Sequence, residues 1–372
     1  MSATTEPCPA DWRPATSTRP HRDPRWVWAI GLPLLVIALA FAATQGAYAL
    51  TTGDLGRLWL LWQQPAGSPH EPSLAGAQVF WHIRAPRLAM AVLAGAALGL
   101  GGALVQGLFR NPLADPGLIG VSAGGALGAA TCIVVLPLTG WVLPEFSQRG
   151  IGAWATMMAA FAGALLVTAL AWRLARRQGR IPVAQLLLVG VAINALAGAG
   201  LGLLTYLAND TQLRALTFWL MGSLAPSQWP AVMAVCPWVV AAVLLCPALT
   251  RPLDALALGE AQAHLMGVRI GRVQRASVAL TALAVGSVTA VIGMVGFIGL
   301  VAPHIVRQLF GPRHRVVLPG SALFGASLVV LADTAARTLF APAELPLGVL
   351  TGLMGAPAFL WILQRRPAAS TT

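Results

Sequence analysis

Apolar residues in this chain come in long, nearly unbroken runs, unlike the stripes of a soluble helix or the alternation of a half-buried strand. The clearest extend from Val27 to Leu50, Leu88 to Leu108, Ile151 to Trp172, Leu186 to Leu207 and Ala231 to Leu249. Such runs approach or exceed the ~20 residues that carry a helix across a bilayer core of about 30 Å. Backbone in hydrocarbon must satisfy its own hydrogen bonds, so the runs are helical. They lack the alternation of an outer-membrane barrel strand. The pattern predicts spans near 27–50, 86–108, 117–138, 151–173, 183–207, 231–250, 274–294, 296–310, 319–340 and 346–364. The eighth is short and its boundary with the seventh is soft. Breakers fit these limits: Asn111-Pro112 and Asp115-Pro116 follow the second span, Pro182 opens the fifth, and Pro252 follows the sixth. Glycines four apart (Gly95 and Gly99; Gly120, Gly124 and Gly128; Gly198 and Gly202; Gly348 and Gly352) predict tightly bundled helices.

Charge fixes the orientation. Only 10% of residues are charged, against roughly 25% in a soluble domain. All 24 basic residues are Arg, and the formal net charge is +12. They sit between the apolar runs and not on one basic face, which argues against a nucleic-acid binder. With the N-terminus inside, 18 of the 24 fall in cytoplasmic segments, and Arg57, Arg84, Arg87, Arg149, Arg214 and Arg337 fall outside. That asymmetry predicts ten spans with both termini in the cytoplasm of a bacterial inner membrane. Residues 1–25, rich in Pro and Arg, read as a disordered cytoplasmic tail. Residues 26–366 read as one transmembrane domain, and 367–372 as a second tail. The run from Trp26 is longer than a signal-peptide core, so it is taken as an uncleaved first span.

The absence of Lys also bears on function. A nucleotide-binding P-loop requires a Lys on the phosphates, so any ATP hydrolysis must occur on a partner. The four cysteines (Cys8, Cys132, Cys236 and Cys246) have no CxxC spacing and read as packing residues; no metal site is indicated. No paired carboxylates, HExxH or nucleophile–base constellation suggests an enzyme.

Three stretches resemble one family over nearly the whole chain after the tail. The first is RAPRLAMAVLAGAALGLGGALVQGLFRNPLADPGLIGVSAGGALGA, from Arg84 to Ala129. The second is ALALGEAQAHLMGV, from Ala255 to Val268. The third is GFIGLVAPHIVRQLFGPRHRVVLPGSALFGASLVVLADTAARTLF, from Gly296 to Phe340, continuing as ELPLGVLTGLMGAPAFLW, from Glu344 to Trp361. They resemble the FecCD permeases, which import iron chelates, haem and cobalamin. The resemblance implies an all-α, type II ABC importer permease of ten spans. It also implies a permease homodimer, two cytoplasmic ATPase subunits carrying ATP and Mg, and a periplasmic substrate-binding protein. No permanently bound cofactor is implied.

The same resemblance assigns roles by position. Arg84, Arg87 and Arg337 match arginines that pair with carboxylates of the binding protein, and the planar guanidinium fork suits bidentate carboxylate recognition. Asp333, one turn before Arg337, is an alternative partner for it. Asn111 and Leu113 match residues that narrow the pathway at its cytoplasmic mouth. Val183 and Ala184 stand where the cobalamin branch has small polar residues, which predicts a more apolar constriction. The segment about 255–268 matches the coupling helix that docks on the ATPase, through Leu258, Gly259, Glu260, Ala263, Leu265 and Gly267. His304 reads as a structural hydrogen-bonding residue. The stretch from Leu187 to Leu224 looks most like the haem-import branch, with ferric siderophore and cobalamin as alternatives. An ion-coupled secondary transporter is the rival from another class; its expected mid-membrane carboxylate has one candidate, Asp333.

Overall fold

The computed structural model describes residues 25–46, 53, 56, 75–139, 151–176, 181–341 and 343–364. Both tails lie outside these residues apart from Arg25, as do Arg57, Arg149, Arg177, Arg180, Arg365 and Arg366. Among the described residues there are helices and no strand.

The first span is α1 (Arg25–Thr44). The second, α2, covers Ala75–Phe109. A 3-10 turn (Pro116–Ile119) leads into α3 (Val121–Val135). Next come α4 (Ile151–Ala175), α5 (Val183–Leu207), α6 (Asp210–Met221) and α7 (Trp229–Leu245). Two short helices follow, α8 (Thr250–Ala257) and α9 (Glu260–Leu265). The chain closes with α10 (Ile270–Ile292), α11 (Ile298–Phe310), α12 (His314–Thr338) and α13 (Leu347–Gln364). Among the described residues, eight helices are long and apolar enough to cross a membrane, and α11 and α13 are shorter apolar helices. These ten match the predicted spans, making an all-α polytopic bundle.

The bundle is organised around α2, which packs against α12, α10, α11 and α7, while α3 packs on α4 and α5. Small residues set the closeness. A Cβ on Gly95 or Gly99 would collide with the backbone of Gly325 or Ser321 on α12. On α3, Gly124 and Gly128 meet Gly163 and Ala159 of α4 in the same way. Gly198, Gly202 and Gly352 have open space around the Cβ position, so those glycines mediate no close approach within the chain.

Two features depart from the predicted pattern. The second span starts earlier, and its N-terminal part contains a π-helical turn, Phe80–Arg84. Pro86 lies two residues beyond it; having no N–H, it cannot donate to the carbonyl four residues back, and the wider turn absorbs the gap. As the sequence predicts, the eighth span is short: residues 293–297 separate it from α10 as a non-helical stretch, and α11 has only 13 residues, about 20 Å of helix. The loop after the fifth span holds a helix, α6, started by a capping box between Asn209 and Gln212.

Candidate functional site

Three regions carry the polar chemistry, and the bundle places them at different depths.

At one end of the bundle, the C-terminal ends of α1 and α12 meet the N-terminal part of α2. Arg84 donates to the carbonyl of Ala43 at 2.7 Å, and Arg337 donates to the carbonyls of Gln45, at 2.7 Å, and Ala42. The last carbonyls of a helix lack intrahelical partners, and here two guanidinium groups supply them. Arg87 bonds two carboxylates. Its Nε and Nη2 reach Asp333 at 2.9–3.1 Å, and its Nη1 and Nη2 each reach Glu344 at 3.0 Å. Asp333 is 2% exposed and Glu344 44%. Arg337 Nε also lies 3.7 Å from Asp333. The three predicted arginines therefore converge, and all three are engaged within the chain.

At the C-terminal end of α2 the helix stops on Arg110, a non-glycine residue in the left-handed region with φ 50°. That conformation costs roughly 1–2 kcal/mol for a residue with a Cβ, and strain of this kind gathers at functional sites. Asn111 Oδ1 accepts from the Leu113 N–H at 2.9 Å, forming an Asx turn. Asp115 Oδ1 accepts from the Gly117 N–H at 2.8 Å and starts the 3-10 turn. Removal from water raises the Asp115 carboxyl above the usual carboxylate range, more than the Gly117 bond lowers it. From α5, Asn194 Nδ2 donates to the Gly117 carbonyl at 3.0 Å, and Gly190 admits the Leu118 carbonyl. Asn111 and Leu113 are exposed on the break, Val183 is half-buried and Ala184 exposed at the start of α5.

The broken span runs past this region. Phe297, at φ 67°, is the other described non-glycine residue in the left-handed region, and it caps α11. Gln106 of α2 donates through Nε2 to the Gly299 carbonyl at 3.2 Å, and its Oε1 accepts from Arg307. Irregular backbone at membrane depth is tolerated where protein satisfies it. The Ser223 N–H bonds the Ile292 carbonyl at 2.7 Å and the Leu347 N–H bonds the Gly222 carbonyl at 2.9 Å, tying α6 and α13 to the break.

The third region is the turn of α8 and α9. Ala263 is buried, while Leu258 and Leu265 are 65% and 87% exposed, beside exposed Met266. Gly259 (φ 116°) and Gly267 (φ 77°) bracket α9 in conformations that a Cβ would strain. Glu260 opens α9 as an acidic first-turn residue. His314 and Asp254 link this segment to α12.

Sequence reasoning missed the partners Glu344, Gln106, Asn194 and Asp254. Each is a single polar residue whose contact comes from a distant segment, so no local pattern marks it. His304 lies 2.8 Å from Gln308, one turn on. Among the described residues no group of three His, Cys, Asp or Glu side chains is placed to hold a metal ion.

Comparison with known proteins bears on this arrangement. The chain is 41% identical over 350 residues to the hemin transport system permease protein HmuU of Yersinia pestis, covering 92% of this chain and 97% of that one. It is 40% identical over 284 residues to the cobalamin import system permease protein BtuC of Halobacterium salinarum, covering 76% and 73% of the two chains. It is also 36% identical over 340 residues to the vitamin B12 import system permease protein BtuC of Escherichia coli, covering 91% and 94%. A solved metal-chelate type ABC transporter, in an inward-facing conformation, superposes with a TM-score of 0.78 at 28% identity. That match covers 92% of this chain and all of the other. Residues 34–365 match the FecCD transport family, and the chain belongs to it as a transmembrane permease with the type II ABC importer fold.

Proposed function

We propose that this permease imports haem across the bacterial inner membrane, with both termini in the cytoplasm. The observation that carries the haem reading is the 41% identity to a hemin permease along 92% of the chain. A pathway with few ionisable groups suits a large, planar, apolar cargo. Cobalamin is the second reading, favoured by the 40% identity to an archaeal cobalamin permease.

In this reading two copies pair and two ATPase subunits dock from the cytoplasm on α8 and α9, through Leu258, Gly259, Glu260, Ala263, Leu265 and Gly267. The exposed apolar residues there, on a segment pinned by buried Ala263, support it. A periplasmic binding protein docks at Arg84, Arg87 and Arg337, whose convergence at the outer ends of three helices supports that role. Asn111, Leu113, Val183 and Ala184 form the inner constriction. ATP with Mg acts on the partner subunits, and the permease changes the cargo's location without changing its bonds.

The test is ATP-dependent uptake into liposomes holding the permease, its ATPase and its binding protein, offered haem, a ferric siderophore and cobalamin in parallel. Uptake of haem alone is expected. Uptake of cobalamin or a siderophore instead replaces the cargo and keeps the machine. Uptake that persists without ATP points to an ion-coupled carrier.

A further inference from the structure

The arginine predicted to meet the binding protein already holds a carboxylate of its own chain. Arg87 carries five N–H donors in a planar fork. Its Nε edge grips Asp333 with bonds of 2.9–3.1 Å, and its outer edge grips Glu344 with two bonds of 3.0 Å. One N–H, on Nη1, is left over. The two carboxylates differ in what can move them. Asp333 lies within α12, is 2% exposed, and also faces Arg337. Glu344 is 44% exposed and sits in the turn between α12 and α13.

Resting on the docking reading above, we propose that Glu344 is an internal competitor. It fills the outer edge of Arg87 until a carboxylate of the binding protein displaces it. Asp333 holds the guanidinium plane in register throughout, so the arriving group finds a fixed fork. The exchange puts one carboxylate where another was, so the Arg87 fork keeps two carboxylate partners throughout. It also needs no opening of the turn. The Leu345 N–H bonds the Ala336 carbonyl at 3.0 Å and the Leu347 N–H bonds the Gly222 carbonyl at 2.9 Å, so the main chain beyond Glu344 is pinned. Only the Glu344 side chain must rotate.

A carboxylate that already occupies the fork slows and weakens docking of the next one. It also screens Arg87 from anions that cannot offer a matching bidentate edge, which gives selectivity by competition. The contrast with Arg337 supports this assignment of the exchange to Arg87: Arg337 donates to the main-chain carbonyls of Ala42 and Gln45, which cannot swing away as a side chain can.

The test uses the permease in nanodiscs with its ATPase subunits and measures the affinity of its own substrate-free periplasmic binding protein. Glu344→Gln is expected to bind about twofold to fivefold more tightly, the range of an exposed ion pair removed from competition. Arg87→Lys keeps a cation on buried Asp333 but offers no second fork, and is expected to bind more weakly. In the double variant the gain from Glu344→Gln should vanish. If Arg87→Lys weakens docking while Glu344→Gln binds like the wild type or worse, docking at Arg87 stands and the competitor idea is overturned. If substitution of Arg84, Arg87 and Arg337 each leaves affinity unchanged, the docking reading fails and this inference with it. Should Glu344→Gln not assemble, Glu344→Asp gives the same readout, since its carboxylate is one methylene short of the fork.

Discussion

Asp254 Oδ1 accepts two bonds from His314, one from its main-chain N–H at 2.9 Å and one from Nδ1 at 2.7 Å. Asp254 belongs to α8, in the segment leading to α9, and His314 opens α12. The imidazole is buried against Gly107, in the last turn of α2, with its Nε2 unbonded. One side chain pair thus joins α8 to both α2 and α12. A carboxylate at the start of α12 also complements the positive end of that helix.

Asp254→Ala removes both bonds and is expected to cost about 0.5–2 kcal/mol, as loss of a helix cap does. Asp254→Asn keeps an acceptor oxygen in place and should lose less. Thermal unfolding of the detergent-solubilised permease reads the stability. Uptake per ATP hydrolysed reads the linkage, and Asp254→Ala should lower it even where the protein remains folded. Equal coupling ratios in all three proteins would confine Asp254 to a structural role.

The glycines divide into two groups whose substitutions should behave oppositely. Gly95, Gly99 and Gly102 face backbone of α12 or α11 so closely that an added Cβ meets a carbonyl. Alanine at any of them forces helices apart, at about 1–3 kcal/mol. Gly198 and Gly202 have nothing within reach of a Cβ. Alanine there should be neutral or stabilise α5 by up to ~1 kcal/mol through helix propensity. Melting temperatures of the five variants check this. Destabilisation by Gly198→Ala would mean that this face of α5 is covered tightly in the assembled transporter.

That division shows where the sequence stops being legible. All five glycines fall in the same four-residue spacing or beside it, and nothing local tells which face a neighbour and which face open space. Ten apolar runs were readable because length and hydropathy are properties of one segment, and the Arg asymmetry ordered them. The break at 293–297 was visible only as a soft boundary, since Gly293, Gly296 and apolar residues fit a helix as well as an extended stretch. The π-helical turn has a trace in Pro86 within the second span, and α6 has one in its Asn209–Gln212 box in the loop after the fifth, but neither stands out in the sequence alone. At the candidate site the arginines were found by resemblance. Their partners were not, because Glu344 lies 257 residues from Arg87, and only the folded chain brings the two together.

Asp115 predicts a pH effect with a definite sign. Its carboxyl titrates above the usual range because burial disfavours the charge. Below the usual carboxylate pKa both folded and unfolded chains hold the proton, and no penalty arises. Between that value and the raised one the unfolded chain ionises and the folded one does not, so stability falls as pH rises. Above the raised value the penalty is complete. Asp115→Asn keeps an oxygen to accept the Gly117 N–H and removes the charge. It should therefore be more stable than the wild type at neutral pH, with the difference vanishing in acid. Unfolding midpoints measured from acid to neutral pH check the slope; a parallel offset at every pH would contradict it.

Leu265 is the residue on which the coupling assignment is most easily tested, because it is 87% exposed on α9 while Ala263, two residues before it, is buried. A leucine held in water by a turn that two positive-φ glycines bracket gains nothing for the isolated chain. Burial against a partner would remove its apolar surface from water. Leu265→Asp leaves the packed side of α9 untouched, so the melting temperature of the permease alone should shift by no more than about 0.5 kcal/mol of stability. If the ATPase seats on this turn, a charge there costs about 2 kcal/mol or more, as at an interface hot spot, and affinity falls roughly 30-fold. Co-purification of the ATPase with the variant permease, and its release by dilution, gives the number. Normal retention of the ATPase by Leu265→Asp, together with normal uptake, would move the docking surface elsewhere on the cytoplasmic face.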